Sequence, residues 1–212
     1  MRELFEEQLL LLNQELTEMG SLCEEIISLA TQALGSYTKE LGEKVSKVGA
    51  KIDEEERTIE TICMRLLLRQ QPVATDLRNI SAALKMISDL ERVGDYAVDI
   101  AELSPYLAKA QLSGKVHLSE MALAAVDMVK QSVQAFVDGD IRLAARVKEN
   151  DDRVDELFDR VKTEAVALIR DGALDAHAAL DLGMAAKYFE RIGDHAVNVA
   201  EWVMYAQTGE KG

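Results

Sequence analysis

Glu91, Asp95, Asp99 and Glu102 stand four, four and three residues apart, and Glu190, Asp194, Asn198 and Glu201 repeat that spacing ninety-nine residues later. At ~100° per residue each set falls within roughly 80° of one helix face, so its oxygens share one side. Carboxylates massed in this way need protons, arginines or a metal ion to neutralise them. A metal ion is favoured, and hard oxygen donors select Mg, Ca, Mn or iron over metals that prefer sulfur. On an isolated helix such like charges cost roughly 0.2–0.5 kcal/mol per pair. No lysine is interleaved to offset that cost, although Arg92 and Arg191 lie at the edge of the two stripes.

The acids are embedded in longer matching blocks, Glu91 to Glu102 and Glu190 to Glu201, identical at eight of twelve positions. The chain therefore reads as two copies of one unit. An acidic stripe on a helix is most often a solvated face; its repetition at the same spacing argues for a site. So does the preceding helix of each unit. Val147, Val154, Phe158, Val161 and Leu168 form an apolar seam that Asp151 interrupts, with Asp155 one turn later. In the first unit Asp53 matches Asp155, but Gly49 falls where Asp151 would. Two registers are open for the helix that carries the first stripe. A seam through Leu77, Ile80, Leu84 and Ile87 points Glu91 inward, whereas one through Leu90, Gly94, Ala97 and Ala101 leaves it on the border. Gly94 and Gly193 each cost about 1 kcal/mol in a helix interior, which suggests that a backbone or ligand comes close there.

The elements that position these residues are helical. Apolar residues recur at three- and four-residue steps, and no alternating segment is convincing. Six long helices are expected: Arg2 to Leu34, Lys39 to Arg69, Val73 to near Leu103, Leu118 to Val137, Ile141 to Ile169 and Leu174 to Ala206. In the second, Val45, Val48, Ile52, Ile59, Ile62 and Leu66 line one side. Gly35-Ser36, Gln70-Gln71-Pro72, Asp138-Gly139-Asp140 and Asp171-Gly172 supply the breaks. Ser104-Pro105 and a stretch containing Ser113-Gly114 form the linker between units. Three amphipathic helices joined by short turns bury their stripes by packing antiparallel. The expected fold is all-α, two tandem three-helix bundles, with residues 1–110 as the first repeat and 111–212 as the second.

Composition narrows the function. A chain of 212 residues with 48% hydrophobic and 29% charged content can build a core, and no apolar run approaches the ~20 residues of a spanning helix. A net charge of −14 with no Lys/Arg run disfavours nucleic acid and favours cations or basic protein surfaces. Cys23 and Cys63 are isolated and read as small buried groups in a reducing, cytoplasmic setting.

The two Glu-Arg-(Val/Ile)-Gly-Asp-x-Ala-Val-(Asp/Asn)-(Ile/Val)-Ala-Glu blocks, with the run Arg69 to Arg78, resemble the signature of the PhoU family of bacterial phosphate-signalling regulators. The resemblance spans essentially the whole chain. It implies two three-helix bundles related by pseudo-symmetry, with acidic motifs that hold multinuclear iron or other divalent ions, manganese, magnesium or zinc among them. Carried over by motif, the first site comprises Asp53, Glu91 and Asp95 with Asp99 and Glu102. The second comprises Asp151, Asp155, Glu190 and Asp194 with Asn198 and Glu201. Gly49 and the neutral Asn198 depart from that pattern and put equal metal content in question. The resemblance also implies a negative regulator of phosphate transport and homeostasis, an adaptor between a phosphate ABC transporter ATPase and a sensor histidine kinase. It would be cytoplasmic, peripheral at the inner membrane only through those partners, and a homodimer is expected.

Two other readings compete. A di-iron helical enzyme would need Glu-x-x-His, but the residues three before His117, His177 and His195 are Gly114, Leu174 and Ile192. No nucleophile pattern or phosphate-cradling glycine loop stands out, so an enzyme is not expected. A metal-free acidic scaffold for basic protein partners is the stronger alternative.

Overall fold

The structure is a computed structural model that describes residues 2–70, 73–110 and 116–210. Among the described residues it contains six long helices: α1 (Arg2–Gly35), α2 (Lys39–Gln70), α3 (Ala74–Leu107), α4 (Leu118–Asp138), α5 (Ile141–Arg170) and α6 (Ala176–Thr208). A 3-10 turn, Ala108–Ala110, follows α3. The expected helix limits hold to within a few residues, with one correction. Pro105 lies inside α3, which runs four residues past the expected end at Leu103. The ring removes the amide that would serve the Ala101 carbonyl, yet the buried Leu107 beyond it anchors the last turn on the core and the helix continues. Gln71-Pro72 and Ser113-Gly114, expected as a break and a linker, lie outside the described residues.

Local chemistry sets several boundaries. Asp140 caps α5 by accepting from the Arg142 and Leu143 amides, after Gly139 closes α4 in the left-handed region at φ 65°. Asp175 caps α6 in the same way, accepting from the His177 and Ala178 amides. The Thr38 hydroxyl accepts from the Leu41 amide where α2 begins.

Helices α1, α2 and α3 pack mutually, as do α4, α5 and α6, and the two bundles meet through α3 on α6 and α1 on α4. One continuous apolar core runs through both. The α3–α6 pair is antiparallel in a fixed register: Arg78 meets the Ala206 carbonyl, Asp89 meets His195, and Tyr96 stacks on Tyr188 at 5.7 Å. The last two contacts map onto each other when one repeat is laid on the other, so the internal symmetry axis passes between α3 and α6. Within each repeat a glycine lets the third helix approach the second. A Cβ on Gly94 would lie 3.1 Å from Ile52 Cδ1, and one on Gly193 would lie 3.5 Å from Val154 Cγ1.

This close approach predicts opposite outcomes for two glycines. Gly94→Leu forces Ile52 aside and is expected to destabilise by about 1–3 kcal/mol. Gly183→Ala, with no atom within 4 Å of the added carbon, gains up to about 1 kcal/mol of helix propensity. Urea unfolding midpoints check both; equal shifts would contradict the packing argument.

Candidate functional site

The register of α3 decides where the acids go. Leu90, Gly94, Ala97 and Ala101 are all buried, while Leu77 is 45% exposed. The seam therefore runs through the small residues, and Glu91 sits half-buried at its border. In α6 the equivalent seam of Phe189, Gly193, Ala196 and Ala200 does the same for Glu190. Opposite each, the buried Val45, Val48, Ile52 and Ile59 of α2 and Val147 and Val154 of α5 bring a second set of acids to the same edge.

In the first repeat Asp53, Glu91 and Asp95 come together, joined by Glu56, which the sequence reading missed although it lies one turn after Asp53. Burial and then Asp95 push the Glu91 carboxyl above the usual carboxylate range; Arg92 opposes this, while Glu56 and Asp53 add to it. Glu56 is raised by burial, Glu60 and Asp53 against a hydrogen bond from Ser88. Arg92 reaches Asp95 at 2.9 Å and Glu91 at 3.6 Å. Asp53, Asp95 and Asp99 line an open cleft of about 480 Å³ floored by Gly49, Ala50 and Gly94. Asp99 is raised by burial, Glu102 and Asp95. The exposed Glu102 lines the adjoining groove.

In the second repeat Asp151, Asp155, Glu190 and Asp194 form the counterpart. Burial pushes Asp151 from 3.8 up to about 6, and Asp155, Asp194, Glu190 and Asp152 reinforce the shift. Its Oδ1 is sealed from solvent and has no hydrogen-bond partner. Asp194 is raised by burial and Glu190, with Arg191 and Lys187 opposing. Lys187 stands 2.5 Å from Glu190 and Arg191 stands 3.4 Å from Asp194.

Two further expected ligands have polar partners of their own. Asn198 donates to Asp89 Oδ1 at 3.0 Å, and His195 Nδ1 meets the same oxygen at 2.8 Å. Glu201 lies 3.4 Å from Lys148. Asp89, absent from the sequence reading, is thus the polar junction between repeats. No motif marks it, because its partners come into reach only through the antiparallel register of α3 and α6.

Hard oxygen donors of this kind suit hard cations, and the orphaned Asp151 oxygen is the group most in need of one. As placed, however, no three carboxylate, imidazole or thiol groups among the described residues converge tightly enough to enclose an ion. Cys23 and Cys63 are fully buried, and burial pushes both thiols well above their usual range.

Paired three-helix halves with duplicated acidic edges define a class: an all-helical tandem-repeat protein with two related carboxylate clusters. Comparison with known proteins makes the class specific. The PhoU domain matches twice, at residues 16–104 and 118–203. The phosphate-specific transport system accessory protein PhoU homolog of Clostridium acetobutylicum is 35% identical across 99% of this chain and 97% of its own. PhoU homolog 1 of Thermotoga maritima is 34% identical across 97% and 90%. The crystal structure of PhoU from Pseudomonas aeruginosa superposes with a TM-score of 0.88 at 32% identity, covering 97% of this chain and all of that one. The chain belongs to the PhoU family.

Two predictions follow from the electrostatics. Asp151 and Glu55 both have folded values above their unfolded ones; Glu55 is raised by burial, Glu15, Glu18 and Glu54 from 4.5 to about 7. The native state then holds the proton more tightly, so the stabilisation is full below about pH 4 and is lost as pH rises through about 6 and 7. In chelated buffer, Asp151→Asn and Glu55→Leu should each raise stability at pH 7.5 by on the order of 1 kcal/mol, since solvent screens both groups. Both should also flatten the thermal-midpoint profile between pH 4 and 7.5; curves parallel to wild type would contradict the assignment. Separately, Asp89→Ala strands His195 and Asn198 and is expected to cost about 1–3 kcal/mol in urea unfolding.

Proposed function

We propose that this protein is a non-catalytic regulator of phosphate transport that links a phosphate ABC transporter ATPase to a sensor histidine kinase and represses phosphate-starvation genes when phosphate is plentiful. The observation that carries this reading is the full-length match to proteins named as phosphate-specific transport accessory proteins, with the family domain present twice. The duplicated carboxylate clusters support a second element, uptake of iron, manganese, magnesium or zinc at the two α2–α3 and α5–α6 edges. The residues that would hold the ion are Asp53, Glu91, Asp95 and Asp99 in one repeat and Asp151, Asp155, Glu190 and Asp194 in the other. A bound cation would supply positive charge that ties two helices together, fixing their separation and hence the surface offered to a partner. Among the described residues no helix is long and apolar enough to cross a membrane, so association with the inner membrane would come through the cytoplasmic face of the transporter.

The metal-free scaffold is retained as a second reading because exposed acids such as Asp155 and Glu102 stand on the surface without a preformed cage. Basic partner surfaces would then be bound through rim electrostatics alone, with strong salt dependence and no divalent requirement.

In a bacterium stripped of its own regulator, this chain should restore repression of a phosphate-starvation reporter in phosphate-rich medium; failure to do so overturns the regulatory reading. Binding of the purified transporter ATPase separates the two site readings. Chelation should weaken it if cations order the surface, whereas salt alone should weaken it if the acids act by themselves.

A further inference from the structure

We propose that the apolar groove between the C-terminal half of α5 and the start of α6 is a docking site for an amphipathic helix of a partner protein, one whose apolar face is followed at one end by acidic side chains. The inference does not depend on the cation reading.

The groove has a volume of about 520 Å³ and runs between Val166 and Ile169 of α5 and Ala176, Ala179, Leu180 and Gly183 of α6. Val166 is 66% exposed and Leu180 69%, and Ile169 and Met184 are also open to solvent. The first repeat serves as an internal control, because the same helix pair there carries different side chains. Laying α6 on α3 places Ala176, Ala179 and Gly183 on Leu77, Ile80 and Leu84. Ile80 is fully buried and Leu84 packs against the core. Three large-to-small exchanges therefore open the face of the second repeat, and a Cβ added to Gly183 meets nothing within 4 Å. At the rim the exchange runs from polar to apolar: Leu180 and Met184 stand where the first repeat has Ser81 and Lys85. Small residues on the floor and apolar ones on a solvent-facing rim are what an inserted helix needs for its side chains to seat.

Charge selects the occupant. Lys162 closes one end of the groove, and its Nζ lies 4.6 Å from the centre of the Phe158 ring, with Lys187 Nζ at 5.5 Å from the same ring. At the positions of Phe158, Lys162 and Lys187 the first repeat has Glu56, Glu60 and Ser88. This end of the groove is thus basic where its duplicate is acidic, in a chain whose net charge is −14. Asp159 and Glu190 stand beside the two lysines, yet both ammonium groups remain partly exposed, and each has three donors to offer. An acid at the end of an incoming helix meets both. A second copy of this chain fits less well. The exposed parts of four apolar side chains cover well under the ~800 Å² per partner of a standard stable interface, and two strongly acidic chains repel one another.

The test titrates the full chain into a fluorescein-labelled helical peptide of about 18 residues, long enough at ~1.5 Å per residue to span the groove. The peptide carries leucines at i, i+4 and i+7 and two glutamates beside the first leucine; a control peptide has lysines in place of the glutamates. Saturable anisotropy is expected with the glutamate peptide, at an affinity about tenfold or more above that of the lysine peptide. Gly183→Leu, which restores the side chain that the first repeat carries, should weaken binding by about tenfold or more without lowering the thermal midpoint. Lys162→Glu should weaken the glutamate peptide and narrow its advantage over the control. Absence of saturable binding, equal affinity for the two peptides, or binding unchanged in Gly183→Leu overturns the proposal. So does a concentration-dependent dimer in sedimentation that Gly183→Leu abolishes, since the groove would then seat a second copy.

Discussion

The packing of α3 against α6 is the constraint on which the rest of the molecule depends. It is the most extensive helix–helix contact, joins the two bundles, and carries both acidic blocks on its outer edges. Flanking that contact, Gly94, Ala97 and Ala101 on α3 and Gly193, Ala196 and Ala200 on α6 are buried, and the two glycines bring α3 close to α2 and α6 close to α5. Once those faces are committed inward, the helical period fixes the acids three and four residues on at the border of the core, too near it to be fully hydrated. The raised proton affinities of Glu91, Asp99, Asp151 and Asp194 all have burial as their first cause. The acidic edges thus arise from the same periodicity that builds the bundle.

Charge compensation along these edges is partial. Arg92, Arg191 and Lys187 pair with outer oxygens, and such exposed pairs contribute little to stability. Uncompensated burden collects further inside, at Asp151 and at Glu55, whose Oε1 is also sealed and unpartnered. Glu55 aligns with Leu157 of the second repeat, which is buried at 7% exposure. An ionisable group therefore stands in the first repeat where its duplicate has a core leucine, just as Gly49 stands where the second has Asp151. The repeats agree in backbone and seam and diverge in where each places its least comfortable carboxylate.

Helix number, limits and seams were legible because each rests on periodicity and on breakers that act locally. Val45 through Leu66 of α2 and Val147 through Val161 of α5 point where their spacing requires. Proline misled at one position: Pro105 leaves the Ala101 carbonyl without its helical donor, and the packing of the buried Leu107 against the core outweighs that loss. The acidic stripes could be read from spacing, and so could their division between two helices. Glu56 could have been found from its one-turn distance to Asp53, yet the face of α2 that meets α3 had to be known first. Asp89 was beyond reach of any local pattern, because its partners lie more than a hundred residues away on the opposing helix.

That junction also accounts for the one amide among the duplicated acids. From the metal-site standpoint, Asn198 is a lost charge. Across the α3–α6 contact its neighbour is Asp89, and a carboxylate at position 198 would set two anions against one another at about hydrogen-bond distance in a half-buried interface. An amide donates instead, and it shares Asp89 Oδ1 with His195. The symmetry-related position, Asp99, faces Tyr188, whose proton affinity is raised by burial first and then by Asp99 and Glu102. A phenol can stand opposite a carboxylate without like-charge repulsion, so the acid is retained there. The acid-to-amide difference between the repeats is therefore set by what stands across the internal symmetry axis, and it follows from the Asp89-for-Tyr188 exchange on the facing helix, independently of any ion.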